Sequence, residues 1–202
     1  MTIRAVLFDA DGVVQRNPDG WLDDLKASIG PAHGDAFVDD LFASEAAAMT
    51  GDRDFRDVLS EVTHRWGVAH SSEDLLGHWQ RIEVSVPTVA LVGELRKSGT
   101  PCYLVTNQHS FRAAYMKDSL GYDECFDGAF YSCDLGVLKS SPTFFTRVLE
   151  QLRLAPGEVL LVDDSETYVR SARKAGLHAE RWSVGDGMAN LRQRLAAIGL
   201  PA

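Results

Sequence analysis

The sequence predicts an α/β fold: a doubly wound parallel-sheet core with an inserted small all-α domain. Two observations support this prediction. Short apolar segments alternate with amphipathic helical patterns over most of the chain, as is typical of a parallel sheet with crossover helices. Residues 16–85 interrupt that alternation and carry helical patterns without a convincing buried strand. We therefore expect a core formed by residues 1–15 and 86–202, and a helical cap formed by residues 16–85.

Five segments are predicted to be buried strands, because they are apolar, are rich in β-branched residues and end abruptly at polar residues. The first covers residues 3–8 and ends at Asp9. The others cover residues 102–105, 129–131, 159–162 and, with a weaker pattern, 178–182.

The predicted core helices have recognisable ends, with glycine after several of them and a serine N-cap before two. They cover residues 87–98, 110–120, 142–152, 166–175 and 188–198. Pro142 stands at the first helical position of the third, after Ser141 as its N-cap, and Ser165 caps the fourth. Within the insertion, helical patterns cover residues 36–49, 55–66 and 74–82.

The composition narrows the class of partner. The chain has 202 residues and a net charge of -9, and residues 16–85 hold 14 acidic against six basic side chains. Nucleic acids and anionic membranes bind clustered Lys and Arg, so we expect neither partner and favour a small molecule. The three cysteines form no CxxC pair, and we expect no signal peptide or membrane span; a cytoplasmic location fits this pattern.

Polar side chains follow the predicted strands at the points where the strands end. Because the carboxyl ends of parallel strands meet at one edge of a sheet, we expect these side chains to converge there. They are Asp9, Asp11, Thr106, Asn107, Asp163 and Asp164, with Lys139 in the loop after the third strand. So many carboxylates in one place favour a bound divalent cation, and an all-oxygen ligand set favours Mg²⁺.

Four segments, taken in order, resemble the motifs of the haloacid dehalogenase-like (HAD) hydrolase superfamily. They are Phe8-Asp9-Ala10-Asp11-Gly12-Val13, Thr106-Asn107, Lys139 and Val162-Asp163-Asp164-Ser165. The resemblance covers the whole chain and implies a Rossmann-like HAD core. The insertion is placed as in the subfamily with a helical type 1 cap. One departure is Ser140, which stands where the family commonly has proline after the lysine, and it puts the rigidity of that loop in question.

The resemblance implies a mechanism for the first motif. Asp9 would attack phosphorus and form an aspartyl phosphate. Asp11 would protonate the departing alcohol and later deprotonate the attacking water. Relatives that cleave carbon-halogen bonds generally lack this second aspartate, so Asp11 favours phosphoryl transfer.

The remaining motifs would hold the metal and the phosphate. The resemblance implies that Mg²⁺ is bound by the Asp9 carboxylate, the Asp11 carbonyl and Asp164, with Asp163 acting through water or indirectly. Thr106, the backbone at Asn107 and Lys139 would bind the nonbridging phosphate oxygens.

The insertion is expected to act as a lid and to set specificity. Its turn Thr50-Gly51-Asp52-Arg53 resembles the turn that begins a substrate-facing cap helix in relatives, so Gly51 and Arg53 are candidate substrate-binding residues. The alternative for Arg53 is a solvated helix terminus. His109, just past the second motif, is expected to be an exposed residue before a helix, with substrate contact as the alternative.

The favoured function is hydrolysis of a small-metabolite phosphomonoester by a monomer or homodimer. The acidic insertion favours a neutral leaving group, such as a sugar or polyol, over a polyanionic one. Two alternatives stay open: a phosphomutase resembling β-phosphoglucomutase, and a non-catalytic binding module with the same fold. A phosphatase releases inorganic phosphate, whereas a phosphomutase yields an isomeric sugar phosphate. Absence of magnesium-dependent turnover would favour the binding module.

Overall fold

A five-stranded parallel sheet forms the centre of the computed structural model, which describes residues 2–201. The strands are β1 (Ala5–Phe8), β4 (Cys102–Thr106), β5 (Ala129–Tyr131), β6 (Val159–Asp163) and β7 (His178–Arg181). Their order is β5-β4-β1-β6-β7, and a separate ribbon pairs β2 (Gln15–Arg16) with β3 (Glu83–Val84). Phe8 lies beside Leu104 on one side and Val162 on the other. The carboxyl ends of the three central strands are therefore level.

Helices cover both faces of this sheet. The core helices are α5 (Val86–Lys97), α6 (Ser110–Asp118), α7 (Tyr122–Cys125), α8 (Ser132–Leu135), α9 (Pro142–Leu152), α10 (Glu166–Lys174) and α11 (Met188–Ala197). Alternate residues of a strand point to opposite faces. Val6 and Phe8 accordingly pack with α5 and α11, whereas Ala5 and Leu7 pack with α9 and α10. This arrangement confirms the predicted doubly wound α/β core.

The insertion has its own apolar cluster. It contains α1 (Trp21–Ile29), α2 (Gly34–Met49), α3 (Phe55–Trp66), α4 (Ser72–Leu76) and a 3-10 turn, Gly77–Gln80. Buried aromatic and aliphatic side chains, Phe37, Phe55 and Trp79 among them, fill its centre. The ribbon of β2 and β3 joins it to the core, and we propose that the domain boundaries lie there, at 15/16 and 85/86 as the sequence predicts.

Most predicted elements are present, and the differences have local causes. The predicted helix over residues 74–82 is wrong at its end, because the chain tightens into the 3-10 turn and then enters β3. The sequence pattern does not predict α1, whose N-cap is Gly20 in a left-handed conformation instead of a serine, threonine or acidic residue. Among the described residues, none of the helices combines the length and apolarity that crossing a membrane requires.

Several contacts hold the insertion against the core. His109 stacks on Phe55 of α3, with ring centroids 3.7 Å apart and planes 7° from parallel. The Ser132 hydroxyl donates to the Met49 carbonyl at 2.6 Å. The expectation that His109 is exposed is wrong: it is fully buried, because the insertion covers the start of α6.

Candidate active site

Asp9 directly follows β1, the central strand, and is only 4% exposed. Its Oδ1 accepts a hydrogen bond from the Ala10 amide at 2.7 Å and lies 2.5 Å from Lys139 Nζ. Burial raises the pKa of Asp9 well above its ordinary value; Lys139 opposes this shift and Asp163 adds to it. A fixed carboxylate oxygen therefore lies at the sheet edge beside a single strong cation.

Lys139 ties three motifs together from the loop between α8 and α9. Its Nζ donates to Asp163 Oδ2 at 2.8 Å, and its backbone amide donates to Asn107 Oδ1 at 2.9 Å. Burial disfavours its charge, but the carboxylates of Asp9 and Asp163 outweigh that effect and raise its pKa. The side chain is thus a permanent cation at this site.

The carboxylates of Asp9, Asp163 and Asp164 each offer an oxygen, and these oxygens lie within 4.8 Å of one another. Burial, followed by the charge of Asp163, raises the pKa of Asp164. One lysine cannot balance three anionic groups at this separation, so the donor set fits a hard divalent cation. Gly12, with φ +86°, makes room for the Asp164 carboxylate, because a side chain there would collide with it.

Asp163 is engaged on both of its oxygens. Oδ2 accepts from Lys139, and Oδ1 accepts from the Ser165 amide at 2.9 Å. Ser165 stands at the N-cap of α10 as predicted, although its hydroxyl forms no capping bond. The expected indirect role of Asp163 beside a metal remains a prediction.

A cavity of about 220 Å³ opens above this cluster. Its lining consists of Asp9, Asp11, Thr106, Asn107, Lys139, Asp164 and Tyr168. The sequence-predicted residues of all four motifs thus meet at one place. Asp163 is not part of the lining but contacts Lys139, which is. Their individual roles remain predictions.

The carboxylate of Asp11 is bound by nitrogen donors that sequence reasoning missed. They are Gln15 Nε2 at 3.0 Å, Gln108 Nε2 at 2.6 Å and Arg112 Nη2 at 2.9 Å. One signal could have pointed to Arg112. It lies in the first turn of α6, where the helix dipole disfavours a cation, so its presence there calls for an anionic partner.

Tyr168 is a second residue that the motifs do not reveal. Its ring centroid lies 4.6 Å from Lys139 Nζ, within the range of a cation-π contact. Its hydroxyl accepts from Asn107 Nδ2 at 3.1 Å. The available signal was an aromatic residue in the first turn of α10, the helix after the fourth motif, because that turn lies at the same sheet edge.

The two predicted cap residues lie away from the cavity. Arg53 forms an ion pair with Glu61 at 2.5 Å and is partly exposed. Gly51, at φ +77°, packs against the Cys133 carbonyl so closely that a side chain could not fit. Among the described residues, the cavity lining includes neither of them. Their predicted substrate contacts remain predictions.

Comparisons with known proteins agree with this geometry. A family model described as haloacid dehalogenase-like hydrolase matches residues 3–176. Phosphoglycolate phosphatase of Yersinia pestis is 26% identical over 99% of this chain and 95% of its own length. A HAD family enzyme of Bacteroides thetaiotaomicron, solved as a magnesium complex, aligns with a TM-score of 0.82 at 18% identity, covering 95% of this chain and 98% of its own. L-2-haloacid dehalogenase of Xanthobacter autotrophicus aligns with a TM-score of 0.67 at 21% identity, covering 100% and 85%.

Proposed function

The chain belongs to the haloacid dehalogenase-like hydrolases, and on that premise we propose that it is a magnesium-dependent phosphatase that hydrolyses a small-metabolite phosphomonoester through an aspartyl phosphate on Asp9. One observation carries the proposal. Asp9 and Asp11 line the same cavity, with Lys139 2.5 Å from the first and Arg112 2.9 Å from the second. A nucleophile and an acid/base are thereby separated by one residue and held by different cations.

The first step is transfer of the phosphoryl group to Asp9. A carboxylate oxygen of Asp9 attacks phosphorus while the bond from phosphorus to the leaving oxygen breaks, and its electron pair stays on that oxygen. Asp11 gives its proton to the same oxygen, so an alcohol leaves and Asp11 becomes a carboxylate.

The second step is hydrolysis of the aspartyl phosphate. Water attacks phosphorus, Asp11 takes a proton from it, and the bond between phosphorus and the Asp9 oxygen breaks. Inorganic phosphate leaves, Asp9 is again a carboxylate and Asp11 again holds a proton. Both aspartates have returned to their starting states.

The buried donors around the cavity would bind the phosphate oxygens during both steps. Thr106 is 2% exposed and Lys139 is 1% exposed, so their hydroxyl and ammonium act in a largely water-excluded place. Magnesium would be held by the Asp9 carboxylate, the Asp11 carbonyl and Asp164. When bound, it would offset negative charge on the transferring group.

Asp11 also bears on the choice between phosphate ester and carbon-halogen cleavage. A dehalogenase is among the structural neighbours, so the fold alone does not separate these reactions. An acid that protonates an alcohol is needed for phosphate esters, whereas a halide leaves without a proton. The similarity to phosphoglycolate phosphatase over 99% of the chain supports the same choice and adds phosphoglycolate to the candidate substrates.

We propose that the insertion is a type 1 cap that closes over the cavity and sets specificity. Support comes from two contacts that hold the insertion against the segments that follow β4 and β5. Phe55 stacks on His109, and Ser132 donates to the Met49 carbonyl. A cytoplasmic location and a monomeric or homodimeric state stay predictions of the sequence.

The test is a panel of phosphorylated metabolites, including phosphoglycolate and sugar phosphates, assayed with magnesium or with EDTA. We expect magnesium-dependent release of phosphate by the wild type and none by Asp9→Asn, since asparagine is nearly isosteric but a poor nucleophile. Asp123→Asn, an exposed change on α7, is the matched control and should leave turnover unchanged. An isomeric sugar phosphate as product would identify the mutase instead, and full activity of Asp9→Asn would refute the assigned nucleophile.

A further inference from the structure

Within residues 2–201, the hydrogen bonds on Asp11 leave it one free acceptor site. A carboxylate offers about four lone-pair sites, two on each oxygen. Oδ1 accepts from Gln15 Nε2 at 3.0 Å and from Arg112 Nη2 at 2.9 Å, and Oδ2 accepts from Gln108 Nε2 at 2.6 Å. Both sites of Oδ1 are therefore taken. A transferable proton can sit only on the second site of Oδ2 while these bonds are kept.

Each of the two amides is oriented by a second partner. The Tyr122 hydroxyl donates to Gln15 Oε1 at 2.9 Å, so Nε2 is the end of that amide which faces Asp11. Gln108 Nε2 also lies 3.2 Å from Thr106 Oγ1. Both glutamines are at most 1% exposed, so neither side-chain amide can rotate by 180° without losing a buried hydrogen bond.

Arg112 differs from these two donors in charge and in connection. Its Nη2 is shared between Asp11 and Asn17 Oδ1, each at 2.9 Å. Asn17 lies just after β2, where the chain enters the insertion, whereas Arg112 belongs to the core helix α6. Within residues 2–201 its buried Nε finds no hydrogen-bond partner. The guanidinium is thus held by the bonds of Nη2 to Asp11 and Asn17, and Nε adds no hydrogen bond to them.

We propose that Arg112 is the positioning residue of the acid/base Asp11: by occupying Oδ1 with a charge-assisted bond, it directs the transferable proton to Oδ2. The inference rests on the proposed phosphatase function and adds to it a residue outside the four motifs. While Asp11 holds its proton, Arg112 is the charged donor among these three. Charge-assisted bonds are roughly twice as strong as neutral ones, so Arg112 then contributes more to this orientation than either glutamine.

The consequence depends on the leaving group. In the first step the proton moves from Oδ2 to the leaving oxygen as the bond to phosphorus breaks. An alkoxide leaves poorly without that proton, whereas p-nitrophenolate leaves readily without it. Misplacing the acid should therefore slow alkyl esters more than p-nitrophenyl phosphate, whereas general damage to the site should slow both alike.

The experiment compares kcat/KM for p-nitrophenyl phosphate with kcat/KM for 2-phosphoglycolate and glycerol 3-phosphate. This constant covers the steps through departure of the leaving group and excludes hydrolysis of the aspartyl phosphate, in which Asp11 acts on every substrate. Arg112→Met keeps an unbranched apolar stem and removes the guanidinium with its donors. We expect kcat/KM for the alkyl esters to fall at least about tenfold and kcat/KM for the aryl ester to change less than about threefold, because a positioned acid contributes about 10² to 10⁴. Arg112→Lys keeps the buried charge and a nitrogen donor, so it should recover part of kcat/KM for the alkyl esters.

Two controls make the result decisive. Arg192→Met removes a surface arginine paired with Glu94 on α5, and it should change neither rate. Should Arg112→Met fail to fold, Arg112→Lys allows the same comparison between the loss on alkyl esters and the loss on the aryl ester. Equal losses on both ester types, or no loss, would overturn the role of Arg112. A wild type that hydrolyses none of the three esters would instead reject the proposed function.

Discussion

The ammonium of Lys139 lies 2.5 Å from the carboxylate of Asp9, and both side chains are at least nine-tenths buried. The same ammonium lies 2.8 Å from Asp163. Two carboxylates and one lysine thus form a buried network in which each group depends on the others, because an unpaired buried charge is costly.

Removing this lysine should destabilise the protein as well as inactivate it. Lys139→Met leaves Asp9 and Asp163 buried without a cation, and we expect the free energy of unfolding in EDTA to fall by about 3 to 5 kcal/mol. Urea unfolding measures the change. Lys97→Met, an exposed change at the end of α5, is the control. An unchanged urea midpoint for Lys139→Met would show that the pair contributes no stability.

Magnesium should stabilise the folded protein through the carboxylate cluster. A ligand at a hundred times its Kd adds about 2.7 kcal/mol to the free energy of unfolding. We expect the wild type to show a magnesium-dependent rise in Tm and Asp164→Asn to lose most of it, because a ligand oxygen with full charge is gone. Asp123→Asn should keep the full response. An equal rise in Asp164→Asn would place the metal elsewhere.

Glu45 should make stability depend on pH. Burial raises its pKa from 4.5 to about 7, while Arg112 opposes the shift, so the folded state holds a proton that the unfolded state releases. This contribution to stability is complete below pH 4.5 and is lost as the pH rises to about 7. It amounts to about 3 kcal/mol. Glu45→Gln removes this pH-dependent contribution. The free energy of unfolding of the variant should therefore rise by that amount, relative to wild type, between pH 4.5 and pH 8.

The neighbouring His109 changes in the opposite sense, which is why the variant is compared with wild type. Burial and Arg112 lower its pKa to about 3, so its contribution to stability is lost as the pH falls below 6.5. His109 is present in both proteins, so the difference between them reports Glu45 together with its 3.5 Å contact with His109 Nε2. Urea unfolding at several pH values measures this difference. A constant difference would mean that Glu45 titrates normally in the folded protein.

The turn at Gly51 should be needed to seat the insertion. Gly51→Ala introduces a side chain at φ +77° and against the Cys133 carbonyl, so we expect kcat/KM to fall at least about tenfold through misplaced contacts. Gly67→Ala is the matched control. It also has a positive φ, 59°, but in the described part of the chain no atom beyond the two adjoining residues lies within 4 Å of the added carbon. Equal losses of kcat/KM in the two variants would show that backbone strain, and not the contact with Cys133, causes the effect.

The sheet and the motif cluster could be predicted because they depend on signals local in sequence. The apolar run before Asp9 specifies a buried strand, and the topology of a parallel sheet then places Asp9 and Thr106 at one edge. The partners of Asp11 could not be found in this way. Gln108 and Arg112 reach it from segments 97 and 101 residues away, and their contacts depend on how the start of α6 packs under the insertion.

His109 illustrates the same limit from the side of burial. A histidine before a helix in a loop is usually exposed, and only the insertion that covers this loop makes it a buried residue. The position of one domain on another is set by many weak contacts between distant residues. No periodic pattern in the sequence records it.

The nucleophile is attached to the middle of the sheet. Since β1 has a strand on each side and helices on both faces, its backbone amides should be among the slowest to exchange with deuterium in the whole chain. The phosphoryl group would thus be passed to and from an almost stationary atom. Substrate entry, product escape and rearrangement of the insertion can then proceed without disturbing the reference point against which every other group is aligned.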